Sequence, residues 1–195
     1  MRGKVADAAT HSPIEGAIVV AIWRGYGGHS KVCFHTENAI TDKDGQYIIP
    51  AWKNTGHTSS VTYQEVRISS VYKNRYRLAP TKTHGEDGNY YLEVDRSSNS
   101  ERIKYLLSAA KACFVIRDGS ENNAWPLLKE IYLEAVELAE TKADQKNIVW
   151  IVKAMYGLSN DKSIYMNYEE SIRYANDEIE RREKGRDGVW RIQNM

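Results

Sequence analysis

Apolar and polar positions alternate along the first half of the chain and recur at every third or fourth residue along the second, so strands are followed by helices. Residues 2–8 (RGKVADA) are a short strand, 11–16 (HSPIEG) a turn carrying Pro13 and Gly16, and 17–23 (AIVVAIW) a buried strand rich in β-branched residues. Residues 36–50 (TENAITDKDGQYIIP) hold two more strand segments. Ala39 and Thr41 alternate with Ile40 in the first, and Tyr47, Ile48 and Ile49 run to Pro50 in the second. Between them Asp42, Lys43 and Asp44 offer side chains that fold back on the backbone, and Gly45 accepts a left-handed conformation. The two segments are therefore expected to pair as an antiparallel hairpin. Strand character returns at 61–79, with Tyr63, Val66, Ile68, Val71 and Tyr72 apolar, and again at 89–94 (NYYLEV), for six or seven strands in all.

The pattern changes at 95–100 (DRSSNS), a linker in which Ser98 and Glu101 form a capping box for a helix. Ile103, Leu106, Leu107, Ala110 and Phe114 line one face of that helix, which is expected to end near Gly119. A second helix starts near Ala124, tolerates Pro126 in its first turn, and carries Trp125, Leu128, Ile131, Tyr132, Ala135, Leu138 and Ala139 as its stripe. Lys129, Glu130, Glu134 and Glu137 are expected to face water. A third helix is expected over 144–156, capped by Asp144, and a fourth over 161–184. The fold class is α+β: an antiparallel β-sandwich over 1–96 and a bundle of about four helices over 97–195.

The stretch GKVADAATHSPIEGAIVVAIW, followed by TENAITDKDGQYIIP, resembles the carboxypeptidase regulatory-like domain, a transthyretin-like β-sandwich appended to many secreted and cell-envelope proteins. The resemblance spans residues 2–53 and continues more loosely to about Asp95. It rests on a G-x-V-x-D start, a P-I-x-G-A turn and a T-D-x-D-G-x-Y segment. It implies a fold and no chemistry, because the module is an accessory in that family and the peptidase zinc lies in another domain.

Composition narrows the classes. With 195 residues, 42% hydrophobic, the chain can build a sizeable core. Its 27 basic and 26 acidic residues nearly cancel, so nothing in the balance calls for nucleic acid or an anionic membrane. The short run Lys73, Asn74, Arg75, Tyr76, Arg77 reads as a solvated turn rather than a base-stacking surface. No apolar run approaches the roughly 20 residues a transmembrane helix needs. The first strand begins directly behind Met1, as in a chain trimmed of a signal peptide, which makes periplasm or cell envelope the expected location and cytoplasm the alternative. Export would favour a disulfide between Cys33 and Cys113, one in each half; in a reducing compartment both would be small buried hydrophobes.

Reactive groups do not assemble into a motif. His11, His29, His35, His57 and His84 all lie in the first half and lack the spacing of a zinc peptidase, so neither a metal nor another cofactor is expected. The DKDG turn lacks the third ligand and the distal glutamate of a calcium loop. Cys33 and His35, two apart on a strand, would share a face, but no third group orients them. One hydrolase family shares the transthyretin-like fold and ends in Tyr-Arg-Gly-Ser; this chain ends RIQNM. Residues 24–31 (RGYGGHSK) are expected to form an exposed glycine-rich loop, and Tyr26, His29 and His57 are the candidate binding-loop residues. The expected function is a non-enzymatic protein-binding module, of which an inhibitor or immunity protein against a secreted toxin is one case. A hydrolase or carbohydrate-binding site at the sandwich/helix junction, the latter needing Trp23, Tyr26 and Trp52 exposed in one plane, is the alternative.

Overall fold

The computed structural model describes residues 1–27, 30–52, 61–80, 87–110, 124–155 and 166–184, with the backbone alone at 26–27, 30–32, 34 and 61–64. Among these residues seven strands precede four helices: β1 (Arg2–Asp7), β2 (Ile18–Gly27), β3 (Ser30–Ile40), β4 (Gln46–Ile48), β5 (Val61–Tyr72), β6 (Tyr76–Leu78), β7 (Tyr90–Val94), α1 (Asn99–Ala110), α2 (Trp125–Leu138), α3 (Lys142–Met155) and α4 (Tyr168–Glu183). The strands form a four-stranded sheet ordered β4-β1-β7-β6 and a three-stranded sheet ordered β3-β2-β5. Every pairing is antiparallel except β1 with β7.

The DKDG turn does not close a hairpin. β3 belongs to the three-stranded sheet and β4 to the other, so Asp42–Gly45 carries the chain across the sandwich as an arch. Its local chemistry is as expected. Asp42 Oδ1 accepts the amides of Asp44 (2.9 Å) and Gln46 (2.8 Å), Gly45 N–H donates to the Asp42 carbonyl (2.9 Å), and Gly45 has φ +69°. What sequence-local chemistry does not specify is the neighbour, and that is set by longer-range bonds. Val5 N–H donates to the Gly45 carbonyl (2.8 Å), and buried Thr41 donates through Oγ1 to the Ile14 carbonyl (2.6 Å) while accepting from Ala17 N–H (2.8 Å). The β1–β2 connection also crosses between sheets, so Thr41 locks one arch to the other.

β2 separates two cores. Val19, Ala21 and Trp23 point into the inter-sheet core with Val5, Ile14, Tyr47, Ile49, Val71 and Leu92. Ile18 and Val20, on the opposite face, join Tyr72 in a core with the four helices. The unbroken apolar run of 17–23 is this double burial, since a strand covered on both faces has no polar side to show. Each buried Val or Ile contributes about 1.5–3 kcal/mol relative to exposure.

Residues 24–31 are mostly strand rather than loop. β2 continues to Gly27 and pairs there with Ser30, leaving only residues 28–29 between the strands. Glycines weaken a strand in isolation, but ladders on both sides, to β3 and β5, override that preference. A register step between Trp23 and Arg24 sets His35 opposite Trp23 and Cys33 opposite Arg24. Because Trp23 and Arg24 alternate on β2, Cys33 and His35 lie on opposite faces, and the expected shared face is lost to this bulge.

The capping box ahead of α1 forms, with Ser98 N–H donating to Glu101 Oε2 (3.1 Å) and Glu101 N–H to Ser98 Oγ (3.4 Å). α3 begins earlier than expected. Thr141 is its cap, and Asp144 returns the bond from the third helical position by accepting from Thr141 N–H (3.0 Å). α4 is capped by Asn167, whose side chain accepts from Glu170 N–H (2.8 Å).

A β-carbon at Gly45 would overlap the Val5 carbonyl oxygen in addition to straining a positive φ, whereas at Gly16, also φ +69°, it meets only Lys73 Nζ, the end of a long side chain, at 3.1 Å. Urea unfolding is expected to show both Gly→Ala changes destabilising by about 1 kcal/mol or more from backbone strain, with Gly45→Ala distinctly the worse. Equal losses would mean the arch does not seat on β1 as described.

Candidate functional site

The most elaborate polar site lies where the helices meet the sandwich. Arg102, on α1, is 3% exposed, and each of its five N–H groups has an acceptor. Nε and Nη2 form a fork on Glu134 of α2 (3.0 and 2.9 Å), Nη1 donates to Asp95 Oδ2 (3.2 Å) and the Tyr76 carbonyl (2.5 Å), and Nη2 reaches the Lys73 carbonyl (3.4 Å). Glu134, expected to face water, is 1% exposed. It also accepts from Tyr72 Oη (2.9 Å) and Arg75 N–H (3.1 Å). Arg75 holds φ +63° in the β5–β6 arch, and that conformation aims its amide at the carboxylate.

The protonation states follow from this geometry. Burial and the adjacent Glu134 carboxylate push the Tyr72 phenol well above its ordinary value, so it remains a donor. Burial pushes the Asp95 carboxyl up, but hydrogen bonds from Ser97 and the Arg102 guanidinium outweigh it and hold the carboxyl below its usual range. With every donor and acceptor engaged, the cluster holds the helices to the sheet and offers no open valence for a substrate.

A second cluster sits at the β3 side of the inter-sheet core. His35 stacks on Trp52 (4.7 Å between centroids, 8° between planes), meets Trp23 edge-on at 5.2 Å, and bonds Glu37 Oε1 through Nε2 at 2.7 Å. His35 is 9% exposed and Trp23 is buried; the two indoles cross at 64°. They form a packed corner, not the flat exposed platform that carbohydrate stacking requires.

Of the three candidate binding residues only Tyr26 lies within the described residues. Tyr26 lies within β2, opposite Lys31 and Thr62, while His29 and His57 lie outside the described residues. Cys33 is buried on the helix-facing side of the sheet and is disulfide-bonded; Cys113 lies outside the described residues. Among the described residues no group of three or more His, Cys, Asp or Glu is placed to hold a metal ion, and no helix is long and apolar enough to cross a membrane. The Asp42 carboxylate is committed to its turn.

Sequence reasoning passed over Arg102 and set Glu134 in water, although Glu134 follows Ile131 by three residues and precedes Leu138 by four, inside the apolar stripe of α2. A carboxylate on a buried stripe requires a cation, and Arg102 stands on the corresponding stripe of α1, four residues before Leu106.

Among the described residues, one broad surface has no strand or helix packed over it. On the outer face of the four-stranded sheet, Arg2 pairs across strands with Ile48, Lys4 with Gln46, and Ala6 with Tyr91. Arg2, Lys4 and Gln46 are exposed, Ile48 is 75% exposed, and Arg77 and Glu93 at the far side neutralise each other at 2.9 Å. Compared with protein-family models, with curated proteins and with solved structures, the chain finds no match.

Removing one member of a desolvated ion pair strands the other, at about 3–5 kcal/mol. Arg102→Met and Glu134→Leu should each cost that much in urea unfolding, and the double variant should recover more than half of their sum; simple additivity would refute the coupling. The Asp95 pKa is lower folded than unfolded. Its contribution is therefore full above the ordinary carboxylate value of about 3.9 and is lost as pH falls through the folded-state value. Asp95→Asn should lower stability at neutral pH and flatten the acid limb below about pH 4, read as unfolding midpoints across a pH series.

Proposed function

We propose that the chain is a non-enzymatic protein-binding module of the bacterial periplasm or cell envelope, built on a transthyretin-like, carboxypeptidase regulatory-like sandwich. Inhibition of a secreted toxin or enzyme, as an immunity protein performs it, is the role that such a module fits. The observation that carries this reading is the exposed outer face of the four-stranded sheet, on which no strand or helix packs among the described residues. Exposed Ile48 lies beside Arg2 there, with Lys4 and half-exposed Tyr91 further along, so the face suits a protein with apolar contacts and an acidic rim. The disulfide at Cys33 supports an oxidising compartment.

A photo-crosslinking residue in place of Ile48, introduced in the native bacterium, tests both parts. A discrete protein adduct is expected from the envelope fraction, and Arg2→Glu with Lys4→Glu should abolish it. A folded protein that gives no adduct, or one that fractionates with the cytoplasm, would overturn the reading.

A further inference from the structure

β5 is one edge of the three-stranded sheet, and among the described residues no strand lies on its outer side. Two register steps against β2, between Val20 and Ala21 and between Arg24 and Gly25, bound a regular run in which Glu65, Val66, Arg67 and Ile68 face Arg24, Trp23, Ile22 and Ala21. The two faces of this run differ. Val66 and Ile68 pack against the margin of the inter-sheet core and remain half-exposed. Glu65 and Arg67 lie on the helix-facing side. Glu65 is ion-paired with Arg24, whereas Arg67 is exposed and makes no ion pair or side-chain hydrogen bond among the described residues. The opposite edge differs, since Cys33 and Asn38 on β3 are already engaged.

We propose that this edge is a self-association surface, on which two copies pair β5 against β5, antiparallel, about a twofold axis through Val66. In that register Glu65 of each copy stands opposite Arg67 of the other, and Val66 meets Val66 at the axis. The alternatives are self-penalising. A slip of two residues in pairing opposes Arg67 to Arg67 or Glu65 to Glu65, and a slip of one turns the half-exposed Val66 and Ile68 to the wrong face. The strand thus carries its own complement, as an isologous contact requires. Ladder hydrogen bonds would hold the pair, while the charges select the register. This contact does not use the outer face of the four-stranded sheet, so its failure and that of the protein-binding reading are separable.

Sedimentation velocity of the full chain, from micromolar to submillimolar concentration, tests it. The wild type should dimerise, and Arg67→Glu and Glu65→Arg should each be monomeric over the same range while unfolding cooperatively. An equimolar mixture of the two variants should dimerise again, because every opposed position then carries opposite charges. Arg67 has no ion pair to lose among the described residues of its own copy, so Arg67→Glu decides the matter alone if Glu65→Arg, which deprives Arg24 of its partner, fails to fold. A wild type that is monomeric throughout, variants that dimerise as well as the wild type, or a mixture of folded variants that stays monomeric would overturn the proposal.

Discussion

A guanidinium taken out of water needs five acceptors in one plane, and the way Arg102 finds them organises the protein. Two come from the Glu134 carboxylate on α2, one from Asp95 in the connection ahead of α1, and two from carbonyls of the β5–β6 arch. One side chain thus ties α1 to three other segments, the β5–β6 arch, the connection at Asp95 and α2. None can shift by an ångström without leaving a charge desolvated and short of a partner. Hydrophobic burial of Ile18, Val20 and Tyr72 against the helices supplies most of the attraction, but it is non-directional and would tolerate sliding. The guanidinium fixes the register of helices on sheet.

The same division between attraction and direction holds inside the sandwich. Two sheets with apolar inner faces would pack in many offsets. The arches remove the freedom, because Thr41 bonds to both sides of the 14–17 segment and Gly45 gives its carbonyl to Val5. Gly45 fits there because a side chain would occupy the space of the Val5 carbonyl. The T-D-x-D-G and P-I-x-G-A stretches are therefore two halves of one joint, each of which specifies little without the other.

Much of this was legible in the sequence, and the misses share a cause. Alternation over 2–8, the apolar run of 17–23, three-and-four spacing in α1 and α2, and the Ser98/Glu101 box are local signals, and each corresponds to an observed element. The hairpin expected at Asp42–Gly45 and the loop expected at 24–31 failed because a turn or a run of glycines reports backbone conformation and not which strand lies alongside. Cys33 and His35 were placed on one face by counting in twos, a rule that one extra residue in β3 cancels. Glu134 was assigned to solvent by residue type although its spacing placed it on the buried stripe, and here periodicity was the better guide.

The distribution of polar groups then constrains where function can reside. β2 is covered on both faces and the Arg102 cluster is saturated. The His35–Trp52 corner is packed closed, so the interior, as far as it is described, is committed to holding shape. Among the described residues, what a partner can reach is the periphery: an outer sheet face with exposed Ile48 beside basic residues, and the outer side of β5. These surfaces differ in kind. A sheet face presents side chains and therefore discriminates by chemistry, whereas a sheet edge presents main chain and accepts any strand unless flanking charges restrict it. Glu65 and Arg67 are placed to impose that restriction, because a strand offering the wrong sign at either position brings like charges together.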